Sequence, residues 1–431
     1  MQIELLKSII EEQRNETDRK LREEIIEREN IGGLERFLKY PNILAILGVR
    51  RCGKSVFSLL LSKKLKETFG CINFDDERLI RAKTEDLNKV LQAFYELYGD
   101  VDLILLDEIQ NIEGWELFAN RLRRTKKVII TGSNSKLLSG ELATHLTGRH
   151  IDFTLYPFSF REILEFKPNI YLTEDVAKAR KKLEEYILGS GFPEFLKFGP
   201  QIVMRIYEDM INKDCIRRNK IRNEASFREM AHYLVSNFSN EFTYSKLLKI
   251  TSIKDVHTVK NYVECLKDAF AIIVLERFSP KLKQQIIAPK KIYAIDQGFC
   301  NFVGFRISKD AGRLIENIVC VELMRRKAEY TEIYYYKNPQ GYEVDFVVKQ
   351  GENINQLIQV CYSVDDLSTK NREIRALIHA SEDLKCKNLL VITNDYEGTE
   401  ETTWFGIKRE IRFVPLWKWL LREMKEGENF T

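Results

Sequence analysis

The sequence predicts a chain of several α/β parts, the first of them a parallel sheet covered by helices on both faces. Two observations carry that prediction. Short apolar runs at 42–47, 71–74, 102–107, 127–131 and 151–155 alternate with helical stretches; strands this apolar, spaced by helices, belong to a parallel sheet buried on both sides. The first run leads into a glycine-bearing loop and the third ends in two carboxylates, at the strand tips where such sheets place their ligands.

The loop reads GVRRCGKS, so Gly48, Gly53, Lys54 and Ser55 complete the spacing G-x-x-x-x-G-K-[ST]. Glycines let the backbone N–H groups of Gly48, Val49, Arg50, Arg51, Cys52 and Gly53 curl around a polyphosphate. Lys54 supplies a mobile cation for its β/γ oxygens, and the Ser55 hydroxyl is placed for Mg²⁺ at the start of a helix running through Val56 towards Phe69. In DLILLDEIQ, residues 102–110, Asp107 is positioned to hold Mg²⁺ through water and Glu108 is the expected base for the attacking water. The strand ending in TGSNS offers Ser133 or Asn134 as the group that senses the γ-phosphate. A helix over 135–146 is expected next. Arg149, in TGRH just before the strand at 151–155, is placed either as an arginine finger reaching a neighbouring copy or as a surface residue packing a helix end. The expected cofactors are ATP and Mg²⁺.

At 431 residues the chain is long for one domain, and the length suggests about three. Hydrophobic residues make up 44% and charged residues 31%, the balance of a soluble globular protein. No apolar run approaches the roughly 18 residues of a membrane span, and the N-terminus is too acidic and polar for a signal peptide, so a cytoplasmic protein with no membrane partner is expected. Eight scattered cysteines with no C-x-x-C pair suggest neither a zinc site nor a disulfide framework. The net charge of +4 is mild, so any affinity for nucleic acid must come from local patches.

The expected organisation is amphipathic helices over 1–30, the phosphate-loop core over 31–156, a helical lid over 157–225, a winged helix over 226–295 and an α+β part over 296–431. In the lid, helices flank the turn GSGFPEF at 189–195. The winged part reads as helices followed by a β-branched strand. Its second motif helix, 256–269, turns Val256, Val259, Val263 and Leu266 inward. Lys254, His257, Thr258, Lys260 and Asn261 face outward as the surface that such motifs present to duplex DNA. A structural or protein-contact role for the same face is the alternative. In the last part, Glu316 on a helix, Asp345 on a strand and a strand about a dozen residues later follow the order of a restriction-endonuclease-like core. That core would end in E-x-K, whereas this chain has Gln359-Val360-Cys361.

With these pieces together the chain resembles the AAA+-type ATPases of archaea and bacteria that carry a C-terminal domain of unknown function with a restriction-nuclease-like core. The likeness runs from about residue 30 onward. It rests on GVRRCGKS, LDEIQN, TGSNSKLLSGELATHLTGRH, YPFSFREIL, GSGFPEF, the winged stretch and GYEVDFVV. It implies ATP binding and hydrolysis by Lys54, Ser55, Asp107 and Glu108 in a P-loop NTPase sheet. By analogy with signal-transduction ATPases it also implies a nucleotide contact from Pro193. The departure at Cys361 implies a domain without nuclease activity, since a thiol supplies no cation and the Gln359 amide weakens a metal site, unless a lysine from elsewhere in the chain substitutes. Three functions follow as expectations: an ATPase that switches the binding of its attached domains to DNA, a nucleotide-gated protein-interaction switch, and an ATP-controlled nuclease. The chain is also expected to be able to form a homo-oligomer.

Overall fold

The computed structural model describes residues 1–22, 25–29, 31–138, 148–164, 166–169, 171–305, 311–328, 330–362 and 364–422. It forms two compact units, residues 1–158 with 268–270 and the remainder of the described chain from Ser159.

In the first unit, β1 (Ile43–Leu47), β2 (Phe69–Asn73), β3 (Leu103–Asp107), β4 (Lys127–Gly132) and β5 (His150–Thr154) build one sheet in the order β2-β3-β4-β1-β5. Every pairing is parallel. All residues of β1 and β3 are buried, which explains why both read as unbroken apolar runs. Leu47 is level with Gly132 and Thr154, so the chain leaves β1, β4 and β5 at one edge of the sheet. The amphipathic N-terminus folds as one helix, α1 (Ile3–Lys20), and belongs to this unit: Leu6, Ile9 and Ile10 are fully buried in its core. Three further helices, α2 (Lys54–Lys64), α3 (Thr84–Tyr98) and α4 (Trp115–Leu122), separate the strands. Only a 3-10 turn over Ser135–Leu138 is described of the helix expected at 135–146; residues 139–147 lie outside the described residues.

The second unit opens with α5 (Thr173–Leu188) and α6 (Pro200–Asp209), the latter continuing as a π-helical run over Met210–Arg217. It proceeds through α7 (Glu224–Ser236), β6 (Asn240–Phe242), α8 (Tyr244–Ile250), α9 (Val256–Asp268), β7 (Ile272–Glu276), a short helix over Leu282–Ile287 and β8 (Lys290–Ala294). The three strands form an antiparallel sheet, β6-β8-β7. The sequence reading missed β6, which spans only three residues.

A second, mixed sheet follows α10 (Ala311–Arg326). It contains β9 (Thr331–Lys337), β10 (Glu343–Gln350) and β11 (Asn353–Cys361), then α11 (Leu367–Asp383), β12 (Leu389–Thr393), β13 (Gly398–Trp404), β14 (Ile407–Pro415) and α12 (Leu416–Leu421), in the strand order β13-β14-β12-β11-β10-β9. All eight cysteines are free thiols and seven of them are buried. No helix among the described residues is long and apolar enough to cross a membrane.

Candidate active site

The loop after β1 holds its shape by close backbone contacts. A Cβ on Gly48 would stand 2.2 Å from the Leu155 carbonyl oxygen, so no larger residue fits there. Gly53, at φ 98°, takes the left-handed conformation that turns the chain into α2. The buried Lys54 ammonium donates to the Gly48 and Val49 carbonyls, each at 3.1 Å, and lies 3.8 Å from Glu108. Cys52 is wholly buried, and its thiol donates to Leu155 O at 3.3 Å; burial raises its pKa, so it is no nucleophile. Arg50 pairs with Asp75 at 3.7 Å and Arg51 is exposed at φ 62°.

Asp107 ends β3, where the Thr131 hydroxyl donates to it and the Ser55 hydroxyl lies close enough to lower its pKa. Burial, then the neighbouring Glu108, push its carboxyl up to about 6. Ser55 and Asp107 therefore meet as an oxygen pair suited to Mg²⁺, the donor chemistry that a hard cation requires. Glu108 is in a left-handed conformation, φ 51° and ψ 41°. Its carboxylate accepts from Gln110 Nε2 and, at 3.4 Å, from the Ser133 hydroxyl. Of the two sensor candidates, Ser133 thus reaches Glu108. Asn134 is buried next to it in the chain.

Three residues that sequence reasoning passed over complete the site. Thr131 bridges the two carboxylate residues, accepting from the Glu108 N–H at 3.0 Å while donating to Asp107. Gln110 holds the Glu108 side chain. Arg28 donates to the Cys52 carbonyl in the loop and to Tyr156 O at 3.1 Å, and stacks 4.1 Å from the Phe158 ring. A threonine inside an apolar run and an arginine in a charged N-terminal stretch gave no local signal, whereas Gln110 stood within the quoted LDEIQN.

Arg149 is exposed at the start of β5, where its carbonyl accepts from the N–H of Ile43 at the start of β1. At about 3.3 Å per residue, the five residues of β1 separate it from the phosphate loop, so it serves no phosphate in its own chain. Pro193 is half-buried in the second unit. Its turn is anchored there by Asp296, which accepts from the Ser190 hydroxyl at 2.6 Å and the Gly191 N–H at 2.8 Å. Lys254, just before α9, and His257, Lys260 and Asn261 on α9 are exposed as expected. Thr258 is only half-exposed, and both its N–H and its hydroxyl donate to Asp255, which caps the helix, so Thr258 presents no free donor.

The second unit also corrects the reading of the last strand motif. Cys361 is buried and supplies no charge, and Gln359 donates to Glu373 at 2.6 Å. A lysine is nevertheless present. Lys291 of β8, buried to 3% exposure, lies 3.0 Å from Glu316, 3.0 Å from Asp345 and 2.7 Å from Glu343. Burial alone would lower its pKa, but the three carboxylates reverse that and hold it well above the ordinary lysine value. Burial and Asp345 push the Glu316 carboxyl up to about 8, against the pull of Lys291. The premise that no cation stands beside these acids is therefore overturned by a residue some seventy positions upstream of Cys361.

The loop, the strand-end carboxylates and the polar strand tip beside them define an ATPase domain of the AAA type. A family model described as an AAA domain matches residues 40–164, followed by two domains of unknown function, DUF8612 at 180–310 and DUF4143 at 311–418. The uncharacterized protein MJ1544 of Methanocaldococcus jannaschii is 37% identical over 401 residues, covering 88% of this chain and 89% of that protein. This chain belongs to its family. An uncharacterized protein of Haemophilus influenzae is 28% identical over 397 residues, covering 87% of this chain and 95% of its own length. Among solved structures, the Walker-type ATPase PABY2304 of Pyrococcus abyssi covers 65% of this chain and 97% of its own at 17% identity. The TM-score of that match is 0.42.

Proposed function

We propose that this protein is a Mg²⁺-dependent ATPase that uses its nucleotide state to switch how the second unit binds a partner, and that the partner is duplex DNA. The observation that carries the reading is the convergence of Lys54, Ser55, Asp107 and Glu108 at one edge of a parallel sheet, with Thr131 joining the two carboxylate residues. The loop N–H groups and Lys54 bind the phosphates, Lys54 turning from its own loop carbonyls to the incoming oxygens. Ser55 and Asp107 would hold Mg²⁺, whose chemistry there would be to neutralise phosphate charge. Glu108 orients water, and Ser133 and Gln110 hold its carboxylate. Arg149 acts on a neighbouring copy or packs a helix end at the surface, and Pro193 is a candidate nucleotide contact.

For the partner, the support is the order of β6, α8, α9, β7 and β8, which is that of a winged helix-turn-helix, together with the exposed Lys254, His257, Lys260 and Asn261. In Glu108→Gln, ATP binding persists while hydrolysis falls at least about a hundredfold, because the cradle survives the loss of the base. Lys54→Ala loses binding as well. Equal turnover in wild type and Glu108→Gln removes Glu108 from the mechanism. The nucleotide-gated protein switch remains the alternative, and DNA affinity indifferent to salt selects it.

A further inference from the structure

Behind a C-terminal pocket of about 680 Å³, whose lining includes Glu316, Glu343, Asp345, Gln359 and Glu373, the acids share a buried cation, Lys291. Lys291 reaches the acids from the three-stranded sheet, while the acids come from α10 and β10. The contacts form a continuous alternation of charge. Lys337 joins Glu241 of β6 to Glu343 at 2.9 Å each, and Glu343 leads on to Lys291, which reaches Glu316 and Asp345. Tyr293, next but one to Lys291 on β8, donates to the same Glu316 oxygen at 2.7 Å.

The distances of 2.7 to 3.0 Å around the lysine are those of charged N–H···O bonds. Divalent cations sit closer to their oxygens, at about 2.0–2.6 Å. The acids are thus spaced for an ammonium, and among the described residues no group of three such side chains is set to hold a metal ion. Taking a divalent ion into this cluster means either expelling Lys291 or crowding a second positive charge against it in a buried site, where like charges repel strongly.

We propose that Lys291 is a resident cation standing where a divalent ion would have to sit among Glu316, Glu343 and Asp345, so that these carboxylates take up no metal while the lysine is among them. The inference is independent of the ATPase reading, since none of these residues belongs to the first unit.

The test is Mn²⁺ binding to the full-length, nucleotide-free chain at neutral pH, read by electron paramagnetic resonance of free Mn²⁺. Wild type and Asp345→Asn are expected to give the same isotherm. Lys291→Met, which keeps length and removes charge, is expected to gain one further Mn²⁺ per chain, at least about a hundredfold tighter than any wild-type binding at this pocket, as three oxygen ligands lose their internal counter-ion. That gain disappears in Lys291→Met/Asp345→Asn. Wild-type binding that is lost in Asp345→Asn overturns the proposal, because Lys291 then works beside a metal and the nuclease reading takes its place. No gain in Lys291→Met overturns it too. If Lys291→Met fails to fold, the melting temperature of Lys291→Gln decides: a rise on adding Mn²⁺ that Asp345→Asn abolishes supports the proposal, and an unchanged value refutes it.

Discussion

Thr131 holds both carboxylate residues of the ATPase site, one through its hydroxyl proton and the other through its lone pair. Thr131→Val keeps the shape and β-branching but leaves Asp107 and the Glu108 N–H each short of a partner. The folded state should lose about 1–3 kcal/mol, the cost of stranding a buried polar group. Turnover should fall between about tenfold and a hundredfold through misplacement of the base, with ATP affinity retained. Thr131→Ser restores both bonds and should recover most of the turnover. If the valine variant hydrolyses ATP at the wild-type rate, the hydroxyl has no part in placing Glu108.

At the scale of elements, the turn between α5 and α6 is stapled by one buried carboxylate. Asp296 accepts from Ser190, Gly191 and Gly298, and burial pushes its pKa up to about 6 in spite of those bonds. Since its unfolded value is near 3.9, the folded chain binds the extra proton between about pH 4 and 6. This stabilising contribution is complete below about pH 4 and is lost as pH rises through 6, with a magnitude on the order of 2–3 kcal/mol. Asp296→Asn cannot titrate, so the difference in urea-unfolding free energy between the two proteins should shift by that amount across the window. A difference flat in pH refutes the assignment. α1 offers a second check: Ile9→Ala should destabilise the first unit by about 2–4 kcal/mol, because that side chain is fully buried in its core. Elements with a strong period were legible in sequence, and those without one were not. β1 and β3 stand out because burial on both faces leaves them apolar up to the terminal Asp107. β13, an edge strand with charged and polar residues and no buried position, carries no such mark. Local motifs exposed Lys54, Ser55, Asp107 and Glu108, whereas Lys291 reaches its acids only through the fold, and no spacing rule could pair them.

For the molecule as a whole, the DNA reading makes a quantitative demand. If about five phosphates are neutralised, raising salt from about 50 to 200 mM should weaken duplex binding roughly 500-fold, and Lys254→Glu/Lys260→Glu should abolish it. Affinity that ignores salt, or that survives both charge reversals, points to a protein partner. Arg149 calls for a mixing experiment, since it lies at the sheet edge opposite its own phosphate loop. Arg149→Ala and Lys54→Ala proteins should each be inactive alone, yet regain turnover when combined, because a lysine-deficient copy still lends its arginine to a neighbour. Full activity of Arg149→Ala by itself leaves the arginine as a surface residue.

The left-handed backbone at Glu108 sets folding against chemistry. That conformation costs a side chain of this kind about 1–2 kcal/mol, and asparagine tolerates it better. A library of this protein selected only for survival of heat should therefore drift towards asparagine at position 108, its survivors melting higher and turning over less. Sequencing that position after successive heat challenges would show the drift. A lineage that keeps glutamate there is one in which something other than stability has been under selection.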